Sequence, residues 1–306
     1  MSQERDNFPD KKQANINFDR VTNFIKEYAT LTHEADVGQE TATFLAHGEY
    51  PNLPINIVYM TDIHYGNRGT DYDLLQEHFK IIEETPNTFV IFGGDEVDNF
   101  SPSKHPTGML NDAITPQMQS DVFFSKIALL DASGKVALIE HGNHNDWIDE
   151  AGYDFYQTFA RELQAPIFTN GGVLNVMVGG QLYRIGINHT FFGNSKLNPT
   201  NAPKRMMEFG FPGIDISLVG HTHVAAGEQF DRGGEQKIAV VGGTYKTKDV
   251  WGAKWGMGQP GKGGFTLTLW PDEKKMQLFR SPEIAQQFIL SLIWKEETKW
   301  VKKKPS

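Results

Sequence analysis

The chain has no cysteine among its 306 residues. Disulfides are thereby excluded, and so is any metal site built on thiolates. Long apolar runs are also missing: nothing approaches the roughly 18 residues needed to cross a bilayer. The opening segment, Met1-Ser2-Gln3-Glu4-Arg5-Asp6, is polar and lacks the apolar stretch of a secretory signal. A soluble, cytoplasmic protein with no membrane partner is expected. Positive charge is in deficit, the formal net charge being −9. A dedicated nucleic-acid coat protein is usually basic, so that class is disfavoured. An enzyme acting on phosphates is not, because bound divalent cations reverse the sign of a site locally.

Apolar residues make up 39% of the chain, enough for a packed core. Phe18, Val21, Phe24, Ile25, Tyr28 and Leu31 recur at three- and four-residue steps, which predicts an amphipathic helix. Short apolar runs rich in branched residues predict strands at Ile55–Met60, Thr88–Phe92, Val136–Ile139, Val173–Val178, Leu182–Ile187, Ile216–Val219, Ile238–Val241 and Phe265–Trp270. Helical patterns fall at Leu74–Ile82, Val122–Leu130, Tyr153–Leu163 and Pro282–Trp300. Ser281 is placed to cap the last of these, and Pro282 suits its first position. The rhythm of strand, helix and strand predicts an α/β fold.

Five segments, each just past an apolar run, carry side chains of one chemical kind. They are Asp62-Ile63-His64; Gly94-Asp95 with Asp98 and Asn99; Gly142-Asn143-His144; His189; and Gly220-His221-Thr222-His223. Open α/β sheets place their sites where loops leave the carboxyl ends of strands. Each segment alone is ordinary. An Asp-x-His pair is common, Gly-Asp after a strand is often only a turn, and a lone histidine is more often a satisfied structural residue than a ligand. Chance would have to produce all five in order. Together they offer carboxylate and amide oxygens and imidazole nitrogens, the donors that suit borderline transition metals. His33, His47, His78, His105 and His141 are read as surface or structural.

In these five blocks, from about Ile55 to Trp270, the chain resembles the calcineurin-like metallophosphoesterase superfamily. The resemblance implies a four-layer α/β/β/α sandwich. It assigns residues 1–50 to an N-terminal helical extension, 51–275 to the catalytic domain and 276–306 to a C-terminal helix with a basic tail. It implies two divalent metal ions, manganese being expected and iron, zinc, nickel or cobalt being compatible. One would be held by Asp62, His64, Asp95 and His223, and the other by Asp95, Asn143, His189 and His221. Asp95 would bridge them, since a shared carboxylate screens the repulsion between two close cations. A metal-bridging hydroxide would be the nucleophile. His144 would sit beside the substrate, oriented by Asp98. The chain departs from the family pattern at Asn145, where the family usually has an acid. Asn99 and His141 stand where the protein serine/threonine phosphatase branch has phosphate-clamping arginines, which argues against that branch.

Substrate choice is expected to lie in loops. Tyr245, Lys246, Trp251 and Trp255 are candidate substrate-binding residues, because aromatics interleaved with lysines can stack a base and hold phosphates. Lys196, Lys204 and Arg205 add positive charge nearby. The leading expectation is a phosphodiesterase acting on a nucleotide or nucleic acid. The alternatives are a broad phosphomonoesterase and, in a different class, an inactive metal-binding scaffold. The terminal helices are candidates for a homo-oligomer contact.

Overall fold

Strands buried on both faces read as unbroken apolar runs, and β2 (Ile55–Met60) has all six residues buried. Its odd-numbered side chains, Ile55, Ile57 and Tyr59, face one apolar cluster, while Val58 and Met60 face another. This double burial sets the layering of the whole fold. In the computed structural model, the described residues are 20–23, 25–26, 40–100, 108–144, 162–195, 197–247 and 261–303.

The chain divides into two units, residues 1–39 and 40–306. In the first, residues 20–23 and 25–26 are helical; Phe18, Phe24, Tyr28 and Leu31 of the expected helix lie outside the described residues.

The second unit holds two six-stranded sheets. One runs β12 (Met276–Phe279), β11 (Phe265–Leu269), β2, β3 (Thr88–Phe92), β4 (Val136–Glu140), β5 (Ile167–Phe168). The other runs β1 (Glu40–Leu45), β6 (Gly172–Val178), β7 (Gln181–Asn188), β8 (Ile216–Val219), β10 (Glu235–Val241), β9 (Ala226–Arg232). Strands β2 to β5 are parallel, as are β7, β8 and β10, and β11 runs antiparallel to β2.

The sheets face each other across Ile57, Tyr59 and Ile91 on one side and Leu174, Val176, Ile185, Leu218 and Val240 on the other. Helices α1 (Tyr72–Glu84) and α2 (Pro116–Ala132) cover the outer face of the first sheet, where Phe79, Phe123 and Ile127 meet Val58, Val90 and Phe92. The outer face of the second sheet is covered by α3 (Asn201–Arg205) and a π-helical turn (Met206–Gly210), with Met206 and Met207 packed on Val173, Val219 and Ala239. The result is the expected four-layer α/β/β/α sandwich. The long helix α4 (Pro282–Lys303) joins the first layer: Asn56 donates from its side chain to the Ala285 carbonyl at 3.1 Å. Its cap is Ser281, whose hydroxyl accepts from Ile284 N–H. No helix among the described residues is long and apolar enough to cross a membrane.

The sheets extend beyond the expected boundaries of the catalytic domain. β1 lies before residue 51 and pairs with β6, and β12 lies after residue 275 and pairs with β11. The helix expected over Tyr153–Leu163 falls almost wholly outside the described residues.

Candidate metal centre

The five motif segments leave the carboxyl ends of β2, β3, β4, β7 and β8. They do so through turns with unusual backbone. Asp62, His64, Asp95, His221 and His223 all have φ between 51° and 69°, a region that side chains other than glycine rarely adopt. Such strain costs about 1–3 kcal/mol per residue and persists only where the surroundings enforce it. With whole-domain stability near 5–15 kcal/mol, five such residues at one edge require a dense holding network.

That network is present. Asp62 N–H donates to the Gly94 carbonyl at 2.9 Å and His64 N–H to the Asp95 carbonyl at 3.0 Å, so the first two turns brace each other. Thr244 Oγ1 donates to the Asp62 carbonyl at 2.6 Å, and Thr70 Oγ1 to the His64 carbonyl at 2.8 Å. His221 N–H donates to the Asp62 carboxylate at 2.9 Å and His144 N–H to Asp95 Oδ1 at 2.8 Å. Gly142 is indispensable here: a Cβ at that position would lie 2.0 Å from Asp95 N.

The functional atoms converge. Asp62, His64 and His223 bring one ligand atom each within 4.8 Å of one another, and so do Asp95, His189 and His221. The Nε2 atoms of His64 and His223 face each other at 3.1 Å. His223 Nε2 is 3.2 Å from Asp62 Oδ1, and His189 Nε2 is 3.1 Å from Asp95 Oδ2. Asn143 Oδ1 is buried and accepts no hydrogen bond. A buried acceptor of that kind is costly unless a cation or donor meets it. His189 Nδ1–H donates to the Gly93 carbonyl at 2.7 Å, which turns its Nε2 toward Asp95.

The titration behaviour follows from this crowding. Burial raises the Asp62 and Asp95 carboxyls, but the histidines beside them prevail and hold both below the ordinary range. Burial lowers His64 to about 4, against the pull of Asp98, so its imidazole is neutral and able to donate a lone pair. At His189, burial is outweighed by the Asp95 carboxylate, which raises it to about 10. Acceptors packed this closely call for positive charge between them. The donor set, oxygen and imidazole nitrogen, fits two divalent cations.

Asp98 differs from expectation. Its carboxylate does not orient His144: Oδ1 is 4.0 Å from His144 Nδ1. That oxygen lies 2.9 Å from His64 Nδ1 and accepts from the Lys246 ammonium at 3.2 Å. His144 Nδ1–H donates instead to the backbone carbonyl of Asp98 at 2.6 Å. One residue thus positions both histidines, by different groups.

The substrate-loop candidates also fall differently. Tyr245 is fully buried among the side chains under α1, and its hydroxyl lies 2.6 Å from His78 Nδ1. Lys246 is buried on Asp98. Neither offers a surface to a substrate, because the strip after β10 dives behind the first ligand turn. Trp251 and Trp255 lie outside the described residues. Sequence reasoning did not single out Asn67, Thr70 or Thr244, which hold the site from behind. Their only signal is that they are small polar residues close to a motif or to β10.

No family model and no curated protein matches the chain. Among solved structures it is similar to Vacuolar Protein Sorting 29 from Cryptosporidium parvum, at 14% identity over 74% of this chain and 96% of that one, with a TM-score of 0.37. A metallophosphoesterase from Sphaerobacter thermophilus matches at 14% identity over 73% and 87%, with a TM-score of 0.33. The nuclease MPE of Pseudomonas putida matches at 12% identity over 73% and 87%, with a TM-score of 0.32. The paired six-stranded sheets, with five ligand-bearing turns gathered at one edge, have the arrangement expected of the calcineurin-like metallophosphoesterase superfamily, which the chain resembles in sequence and in fold.

Proposed function

We propose that the protein is a dimetal phosphoester hydrolase, and specifically a phosphodiesterase acting on a nucleotide or nucleic-acid diester. The observation that carries this reading is the convergence of the two ligand groups, Asp62, His64, His223 and Asp95, His189, His221, on turns strained to present them. Asp62, His64, Asp95 and His223 would hold one cation, and Asp95, Asn143, His189 and His221 the other. Two such ions, manganese being the first to test, would supply Lewis acidity and an activated water.

The chain's own residues then have separable parts. Asp95 lies between His189 and His144, 3.1 Å and 3.8 Å from their Nε2 atoms, and is the carboxylate placed to be shared. His144 is held by its Nδ1–H on the Asp98 carbonyl, so its Nε2 is fixed in direction. That nitrogen can stabilise charge on a phosphoryl oxygen or protonate a leaving oxygen.

Preference for a diester is supported by Asn99. It is buried, its amide donates to the His144 carbonyl at 2.8 Å, and its N–H donates to Gln119 Oε1. A neutral amide committed to internal bonds stands where a phosphatase of the arginine-clamping kind would grip a dianionic monoester. A diester carries less charge and needs less clamping.

Cleavage of bis-p-nitrophenyl phosphate with manganese, abolished by chelation and faster than cleavage of the monoester, is the expected result. Faster monoester hydrolysis would replace this reading with a phosphatase. Manganese binding without turnover on either ester would favour a scaffold, for which the exposed Ile284, Leu290 and Trp294 of α4 offer a partner surface.

A further inference from the structure

The strip from Thr244 to Lys246 reaches the first ligand turn from behind at several points. Thr244 Oγ1 and Tyr245 N–H both donate to the Asp62 carbonyl, at 2.6 Å and 3.2 Å. Thr70, whose hydroxyl holds the His64 carbonyl, pairs through its backbone with Lys246. The Lys246 side chain turns inward, 7% exposed, with its ammonium on Asp98 Oδ1 and 5.1 Å from the centre of the Phe100 ring. Asp98 Oδ1 also lies 2.9 Å from His64 Nδ1, and Asn67 donates to Oδ2. A second acid, Asp112, adjoins Asp98; burial first, and then that neighbour, push its carboxyl up to about 8. Lys246 is the cation of this buried acid pair.

We propose that Lys246 is a positioning residue of the metal centre. Its ammonium fixes the Asp98 carboxylate in the one placement that keeps the His64 proton on Nδ1 and the lone pair on Nε2, facing His223. Its backbone, with Thr244 and Tyr245, holds the left-handed turn of Asp62 and His64. The inference rests on the reading of Asp62, His64 and His223 as ligands. Groups that orient a metal-binding imidazole from behind typically change metal affinity by about 10–100-fold when removed. A lysine is suited to the task because it is a compact cation on a flexible stem.

The test uses the full chain with Lys246→Met and Lys246→Arg. Long-range proton–nitrogen correlation spectra of the metal-free protein read the His64 tautomer, and calorimetric titration with manganese alone reads each metal affinity. In the unaltered chain His64 should show only the Nδ1–H tautomer. In Lys246→Met a second tautomer should appear, and affinity should fall by about tenfold or more at one of the two positions. Lys246→Arg should restore most of both. An unchanged tautomer, or equal loss at both positions with a lowered melting temperature, overturns the proposal. Should Lys246→Met not fold, Lys246→Gln, which keeps N–H donors without the charge, carries the same measurements. If the unaltered chain binds no manganese, the ligand reading falls, while the tautomer still decides the part played by Lys246.

Discussion

The imidazoles of His64 and His144 rest on one residue: Asp98 sets its carboxylate 2.9 Å from His64 Nδ1 and takes the His144 Nδ1–H on its carbonyl at 2.6 Å. Substituting the side chain should therefore disturb only one of them. In Asp98→Asn the carbonyl stays, so His144 keeps its support, while His64 loses an ionised acceptor. Manganese affinity is expected to fall by about 10–100-fold, with turnover recovering at saturating manganese. Titration calorimetry beside metal-dependent kinetics checks this. A low turnover that added metal does not restore would mean the carboxylate serves His144 after all.

His144 and Asp95 should separate chemistry from metal binding. His144 lies outside the ligand groups built on Asp62 and Asp95 and falls in a third cluster with His64 and Asp98, the residue whose carbonyl holds its Nδ1–H. His144→Ala should keep both metals by elemental analysis and lose about 10²–10⁴-fold in turnover, the range for a positioned acid or base. Asp95→Ala should lose metal, because its carboxylate is the acceptor nearest His189. Full activity in His144→Ala on an activated and an unactivated diester would remove it from the mechanism.

Glycine at 142 is tested by its contrast with Gly180. A Cβ at 142 would meet Asp95 N at 2.0 Å and Asp95 Oδ1 at 2.3 Å, whereas one at 180 meets nothing within 4 Å. Backbone cannot yield as a flexible side-chain tip can. Gly142→Ala should cost about 1–3 kcal/mol by overpacking and displace Asp95, with metal content dropping in parallel. Gly180→Ala should leave melting temperature and metal content unchanged. Equal behaviour of the two variants would show that the turn at 142 has slack.

The parts of this fold legible in the sequence are those where burial is two-sided. Strands β2, β3, β4 and β8 are buried throughout and mostly apolar because both faces are covered. β9, Ala-Gly-Glu-Gln-Phe-Asp-Arg, gives no such signal: it is an edge strand with half-exposed residues. β1 alternates half-buried and exposed residues, again at an edge. The candidate ligands were legible because metal chemistry restricts residue type, and their strand-end positions follow from the chain. Which histidine the Asp98 carboxylate serves was not legible, since it depends on Lys246, distant in sequence, occupying the same oxygen. Tyr245 looked like a loop aromatic because the groups that bury it and take its proton, on α1 and α4, are set by tertiary packing.

Those groups support a pH-dependent prediction. Glu283 near the start of α4 accepts from His78 Nε2–H at 2.9 Å, which leaves His78 Nδ1 to accept the Tyr245 hydroxyl proton at 2.6 Å. The hydrogen bond from His78 outweighs partial burial and lowers Glu283 from 4.5 to about 2. A carboxyl with a depressed folded-state pKa contributes stability that is fully present above its unfolded value and disappears as pH falls through the folded one. Glu283→Gln keeps the shape and removes the charge. Its melting temperature should lie below that of the unaltered chain at pH 7, and the gap should narrow as pH falls from 4.5 toward 2. Scanning calorimetry at pH 7, 4 and 3 reads the gap, pH 3 falling inside the window set by the lowered value. A gap that stays constant over that range would show that α4 is held by packing, with the Glu283–His78 bond contributing no charge-dependent stability. Because Tyr245 also bonds the Asp62 carbonyl through its backbone, manganese affinity of Glu283→Gln at pH 7 tells whether loosening the helix reaches the metal centre; the intact Thr244 bond to the same carbonyl should hold the change to a few-fold.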